Sequence, residues 1–103
     1  MVFIETSVFT RLIADYLTED EYVGLQSFLL QRPEAGAIIR GTGGVRKVRW
    51  RISEKGKSGG IRIIYYWYVS ADEIWLLTVY SKSEQETIPA QILKQIVDEM
   101  KNV

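Results

Sequence analysis

Neither cysteine nor histidine occurs in these 103 residues. The missing thiols exclude a disulfide framework and thiolate metal sites, and the missing imidazoles remove the commonest metal ligand and the usual general base near neutral pH. Acid–base chemistry is left to Lys, Arg, Tyr, Asp and Glu. No apolar run approaches the roughly 20 residues that span a bilayer, and residues 1–9 lack the basic start and long apolar stretch of a secretory leader. Both absences point to a cytoplasmic protein with no membrane partner. Repeats and low-complexity tracts are missing as well, so the expectation is one domain over residues 1–103. With 47% hydrophobic and 25% charged residues, the composition is that of a folded globular chain rather than a disordered one.

Net charge is also lacking, but only in sum. The 13 Lys and Arg balance the 13 Asp and Glu, yet residues 40–62 hold eight of the cations and a single carboxylate, Glu54. That block carries a formal charge of +7 against −7 for the remainder. Such a concentration of one sign reads as a footprint for phosphates.

Val2, Phe3 and Ile4 suit a strand over residues 2–6. Ser7 then caps a first helix, whose apolar residues Phe9, Leu12, Ile13, Tyr16 and Leu17 recur at helical spacing. Thr18 and Glu21 form a capping box for a second helix with Tyr22, Leu25, Phe28 and Leu29 as its buried stripe. Pro33 ends it by disfavouring helical geometry at Arg32, and a glycine-rich approach follows over residues 36–44. Residues 45–52 alternate, with Val48, Trp50 and Ile52 on one face and Lys47, Arg49 and Arg51 on the other. Residues 61–69 have few polar positions and read as a central strand covered on both faces, and 74–80 read as another. Asp72 and Glu73 fit the turn between them. Thr87 caps a last helix with Pro89 in its first turn and an apolar face of Ile92, Leu93, Ile96, Val97 and Met100. The predicted order is β-α-α-β-β-β-α, an α+β domain whose antiparallel sheet has helices packed on one face.

Strand parity gathers the chemistry. Lys47 and Arg49 share a face, Arg62, Ile64, Tyr66 and Tyr68 share a face of the next strand, and Tyr80 shares parity with Lys82. If these faces coincide, cations and phenols converge in the way that RNA requires, with cations on phosphates and aromatics on bases. The dense run from Arg46 to Arg62 makes Arg46, Arg51, Lys55 and Lys57 candidate RNA contacts, and strand parity adds Tyr66; for Arg40 and Arg51 the plainer reading is a solvated surface arginine. The plainer reading keeps Tyr65, Tyr66, Trp67, Tyr68 and Trp75 as packing residues.

Two glycine-rich segments stop short of nucleotide motifs. Residues 41–46 place Arg46 where a dinucleotide fingerprint needs its third glycine, and Arg51 stands where a P-loop ending at Gly56, Lys57 and Ser58 needs its first. Both precede strands rather than helices. A metal site is equally unexpected, because hard divalent ions need clustered carboxylates and the basic stretch offers only Glu54. Metal-free phosphoryl transfer remains, in which a ribose 2′-OH attacks the adjacent phosphodiester and the protein supplies a base, an acid and charge stabilisation.

Three segments, residues 41–49 (Gly-Thr-Gly-Gly-Val-Arg-Lys-Val-Arg), 55–66 (Lys-Gly-Lys-Ser-Gly-Gly-Ile-Arg-Ile-Ile-Tyr-Tyr) and 76–82 (Leu-Leu-Thr-Val-Tyr-Ser-Lys), together with the element order, resemble the RelE-like toxins of bacterial toxin–antitoxin systems, and among them the HigB-type branch. The resemblance implies a ribosome-dependent mRNA endonuclease that enters the ribosomal A site, cuts the bound message and needs no cofactor or metal. It also implies a cognate helix-turn-helix antitoxin as partner. The family's functional cations match Lys47, Arg49, Arg62 and Lys82. The implied roles are activation of the 2′-OH by Lys47 or Arg49, neutralisation of the scissile phosphate by Arg62 and stabilisation of the leaving oxygen by Lys82, with Tyr80 positioning a base or donating a proton. The archetypal tyrosine before the last helix is replaced here by Glu86, Thr87 and Ile88. Two alternatives stand beside this reading: a ParE-like gyrase inhibitor, against which the Gly-Gly-Val-Arg-Lys segment and Lys82 argue, and a non-catalytic RNA-binding module of the same fold.

Overall fold

Strand β1 (Val2–Glu5) turns into helix α1 (Ser7–Ile13) at Thr6, whose extended backbone and hydroxyl, accepting from the Phe9 N–H, make it the cap in place of Ser7. Helix α2 (Glu19–Gln31) begins with the expected box: Thr18 accepts from the Glu21 N–H, and the Glu21 carboxylate accepts from the Thr18 N–H. Three acidic residues in its first turn face the positive end of the helix, and Arg32 closes it ahead of Pro33. Four strands follow: β2 (Ala37–Ile38), β3 (Val45–Trp50), β4 (Ile61–Tyr68) and, after a 3-10 turn over Val69–Ala71, β5 (Glu73–Ser81). Helix α3 (Ala90–Lys101) starts behind Pro89, which occupies the cap position itself. The computed structural model describes residues 1–52, 60–82 and 88–102, so the proposed Thr87 cap lies outside the described residues.

The strands form one sheet in the order β1-β5-β4-β3-β2. The α+β class and the antiparallel β3–β4–β5 centre are as the sequence predicts, and three features are new. Strand β2 adds an edge element, too short at two residues for any periodicity to announce it. Strand β1 lies parallel to β5. The helices divide between the two faces instead of sharing one. On the first face α1 and α2 bury Phe9, Ile13, Leu25 and Leu29 against Val48, Ile61, Ile63, Tyr65, Ile74 and Leu76. On the second, α3 lays Leu93 and Val97 on Val45, Ile64, Tyr66, Trp75 and Leu77. A strand apolar on both sides, as β4 is, needs cover on both. Ile92, placed by spacing on the buried stripe of α3, is instead 44% exposed.

A buried phenol and a half-buried guanidinium fix the approach to β3. The Tyr65 hydroxyl donates to the Pro33 carbonyl at 2.7 Å and accepts from the Gly36 N–H at 2.9 Å. Arg46 donates to the carbonyls of Glu34 and Gly36. The glycine-rich loop before β3 turns about Thr42, 1% exposed, whose hydroxyl donates to Ile39 and accepts from the Val45 N–H, while Gly44 takes φ +119, open to glycine alone. At the start of β4, Gly60 sits at φ +67, and a Cβ there would lie 2.3 Å from the Trp50 carbonyl oxygen. These glycines serve the chain's own turns.

Candidate functional site

The register of the three central strands assembles a row of side chains on the face that α3 partly covers. Arg49 on β3 pairs with Arg62 on β4, and Arg62 pairs with Tyr80 on β5. Residues directly opposite in neighbouring antiparallel strands stand about 4.5–5.5 Å apart at their Cα atoms and point the same way. Arg49, Arg62 and Tyr80 therefore lie side by side. The next row holds Lys47, Ile64 and Thr78, about 6.8 Å along the strands. Its middle member, Ile64, belongs to the apolar cluster under α3, which fixes the face of both rows.

Tyr80 reaches this face only through an irregularity. Between Ile64 and Tyr65 the pairing of β4 with β5 shifts, so that Ile64 faces Thr78 while Tyr65 faces Leu76, leaving Leu77 as the extra residue of a β-bulge. Strict alternation from Trp75 would send Tyr80 to the opposite side, yet both pack in the α3 cluster. The bulge is secured by Thr6, whose hydroxyl donates to the Leu77 carbonyl at 2.7 Å. A sheet defect and a helix cap are thus joined in one residue.

Lys47 and Arg49 are exposed, while Arg62 and Tyr80 are half-buried. Lys82 follows directly on the end of β5 and Arg51 on the end of β3, and both are exposed. Lys55 and Lys57 lie outside the described residues. Two expected RNA contacts are not part of this surface. Arg46 pairs with Tyr65, on the α1–α2 side of the sheet, and its guanidinium is committed to the carbonyls of Glu34 and Gly36. Tyr66 is only 9% exposed beneath α3, where it packs on Trp75 and Tyr68. Lys101, from the end of α3, lies 4.9 Å from the Tyr66 ring centroid and 5.1 Å from that of Tyr68. Its hydrogen bond to Tyr66 and the nearby phenols raise its pKa above the ordinary lysine value. The aromatics of β4 are accordingly packing residues, as the plainer reading has it.

Chemically, a row of two guanidiniums and one phenol, flanked by an ammonium, offers charge neutralisation, several N–H donors in fork geometry and one weakly acidic hydroxyl. A phosphodiester fits that set, since its two non-bridging oxygens match guanidinium forks. Alternation gives Thr78 the parity of Tyr80, and the bulge turns both of them to this side. No family model matches the chain.

Proposed function

We propose that this chain is a toxin of the RelE-like, HigB-type class, a ribosome-dependent mRNA endonuclease that halts translation and is silenced by a helix-turn-helix antitoxin. The observation that carries the proposal is the Arg49–Arg62–Tyr80 row, in which two of the cations expected from the resemblance and the phenol offered in place of the archetypal tyrosine fall side by side on one face. The reaction is an intramolecular transfer. The ribose 2′-oxygen attacks the adjacent phosphorus, the bond from phosphorus to the 5′-oxygen breaks, and the products are a 2′,3′-cyclic phosphate and a free 5′-hydroxyl. The proton leaving the 2′-OH passes to the amine of Lys47, with Arg49 helping to activate the 2′-oxygen, and the 5′-oxygen receives one from Tyr80 or Lys82. Arg62, in the middle of the row, holds the phosphate as its charge grows. RNA brings the nucleophile, so the step as written consumes no cofactor.

With no imidazole in the chain, the acid–base set is weak by itself, and the ribosomal A site supplies the orientation of the message that makes it sufficient. Induction of the protein in bacteria, followed by mapping of mRNA ends, tests the proposal. New ends inside translated codons are expected, together with growth arrest. R62A should lower cleavage by about 10²–10³-fold, the usual effect of removing one donor to a developing oxyanion, while keeping the wild-type fold. Loss of supercoiling with intact messages would point to gyrase inhibition, and unimpaired growth to a non-catalytic binding module. Either result refutes the endonuclease.

A further inference from the structure

We infer that Thr78 is a substrate-binding residue of this same site, donating its hydroxyl hydrogen to a non-bridging oxygen of the phosphodiester between Lys47 and Arg62. The inference rests on the proposed reading of the site. It starts from an anomaly on the sheet. Thr78 is 8% exposed, one of the few polar residues among the buried ones, and it stands in the row of Lys47 and Ile64, next to the row of Arg49, Arg62 and Tyr80. Among the described residues, each of the other two buried polar ones has its own engagement: Thr42 is bonded within its loop, and Ser81 also has a partner. The Thr78 hydroxyl makes no hydrogen bond among the described residues.

A buried hydroxyl left without a partner is unfavourable, and native proteins rarely keep one. Among the described residues, no enclosed side-chain nitrogen or oxygen lacks a partner, so the small accessible part of Thr78 must include its oxygen. The hydroxyl therefore reaches the surface, with Ile64 as its direct neighbour on β4, Arg62 diagonal to it and Lys47 one strand further along the row. Its direction is set by the bulge at Leu77, without which Thr78 would point into the α1–α2 core. Bulges commonly re-aim a side chain beside an active site. A neutral donor placed among cations adds direction without adding charge. It can select the phosphate orientation in which the 2′-oxygen is in line with the departing 5′-oxygen.

The test compares T78V, which keeps the shape and removes the hydroxyl, with T78S, which keeps the hydroxyl, in single-turnover cleavage on purified ribosomes programmed with a defined message. T78V should cut about ten-fold or more slowly, as expected when a hydrogen bond to a charged group is lost. T78S should recover most of the rate, and the T78V thermal midpoint should be no lower than that of the wild type. A merely structural role predicts the reverse, with T78V intact in rate. If T78V proves unstable, T78A against T78S carries the same comparison, hydroxyl against none. T78V cutting at the wild-type rate while R62A is inert overturns the Thr78 inference alone. A wild-type protein that leaves the ribosome-bound message whole overturns both it and the proposed function.

Discussion

Replacing Thr6 by alanine removes two bonds that hold different parts of the fold. The hydroxyl accepts from the Phe9 N–H at 3.0 Å, closing the first turn of α1, and donates to the Leu77 carbonyl at 2.7 Å, closing the bulge of β5. Losing the cap costs about 1 kcal/mol, and releasing a part-buried carbonyl from its partner costs about another 1 kcal/mol. A combined loss of about 2 kcal/mol lowers the thermal midpoint of a domain of this size by about 8–10 °C. Thermal unfolding followed by circular dichroism, with T6S as the variant that keeps both bonds, measures it. The same substitution loosens the residue that turns Tyr80 and Thr78 toward the cations, so the proposed mRNA cleavage should fall together with stability in T6A and recover in T6S. A T6A midpoint within about 2 °C of the wild type would show that neither bond matters in solution, and the account of how the bulge is held would be refuted.

Y65F should destabilise the chain by about 2–3 kcal/mol, because the Pro33 carbonyl and the Gly36 N–H both lose their partner in a site where Tyr65 is fully enclosed; chemical denaturation reads this directly. Alkaline pH should destabilise the fold through two phenols. Burial raises the pKa of Tyr65, and burial followed by the hydrogen bond to Glu5 raises that of Tyr22 far above the ordinary phenol value. Unfolded tyrosine ionises near pH 10. The stability these groups contribute is therefore complete below that pH and is lost as pH rises through their folded values. Denaturation midpoints measured from neutral to alkaline pH should fall less steeply in Y22F than in the wild type, and equal slopes would contradict the assignment.

What the sequence discloses follows from which signals are local. The Thr18–Glu21 box and the alternation of Val48 and Trp50 with Lys47 and Arg49 are properties of neighbouring residues, and the fold keeps them. Signals that depend on remote partners are lost. Arg46 looks like one more cation of the block until the Glu34 and Gly36 carbonyls, brought up by the turn after α2, claim it. Tyr66 looks like a stacking platform until α3 arrives on top of it. The side on which α3 packs is not written in its own amphipathic stripe but in β4, whose residues are apolar in both parities. The bulge is the deepest omission, since one uncounted residue reverses the facing of everything after Leu77, Tyr80 and Thr78 included.

The open end of the α3 face follows from lengths. A helix of 12 residues is about 18 Å long and about 10 Å across, whereas β4 and β5, with eight and nine residues, run about 26–30 Å. One short helix cannot cover such a face. It settles over the end where Val45, Tyr66, Trp75 and Leu77 offer apolar area, and Lys101 fastens it there against Tyr66 and Tyr68. Among the described residues, the end that α3 does not reach holds the exposed Lys47 and Arg49 and the half-buried Arg62, with Tyr80 at its edge against the α3 cluster. Three acidic residues gather at the start of α2, whose core lies on the other side of the sheet, so the apolar layers stand between that acidic turn and the cations of β3. A chain of zero net charge can in this way present a cationic surface to a phosphate backbone, and screening by salt should weaken that attraction first.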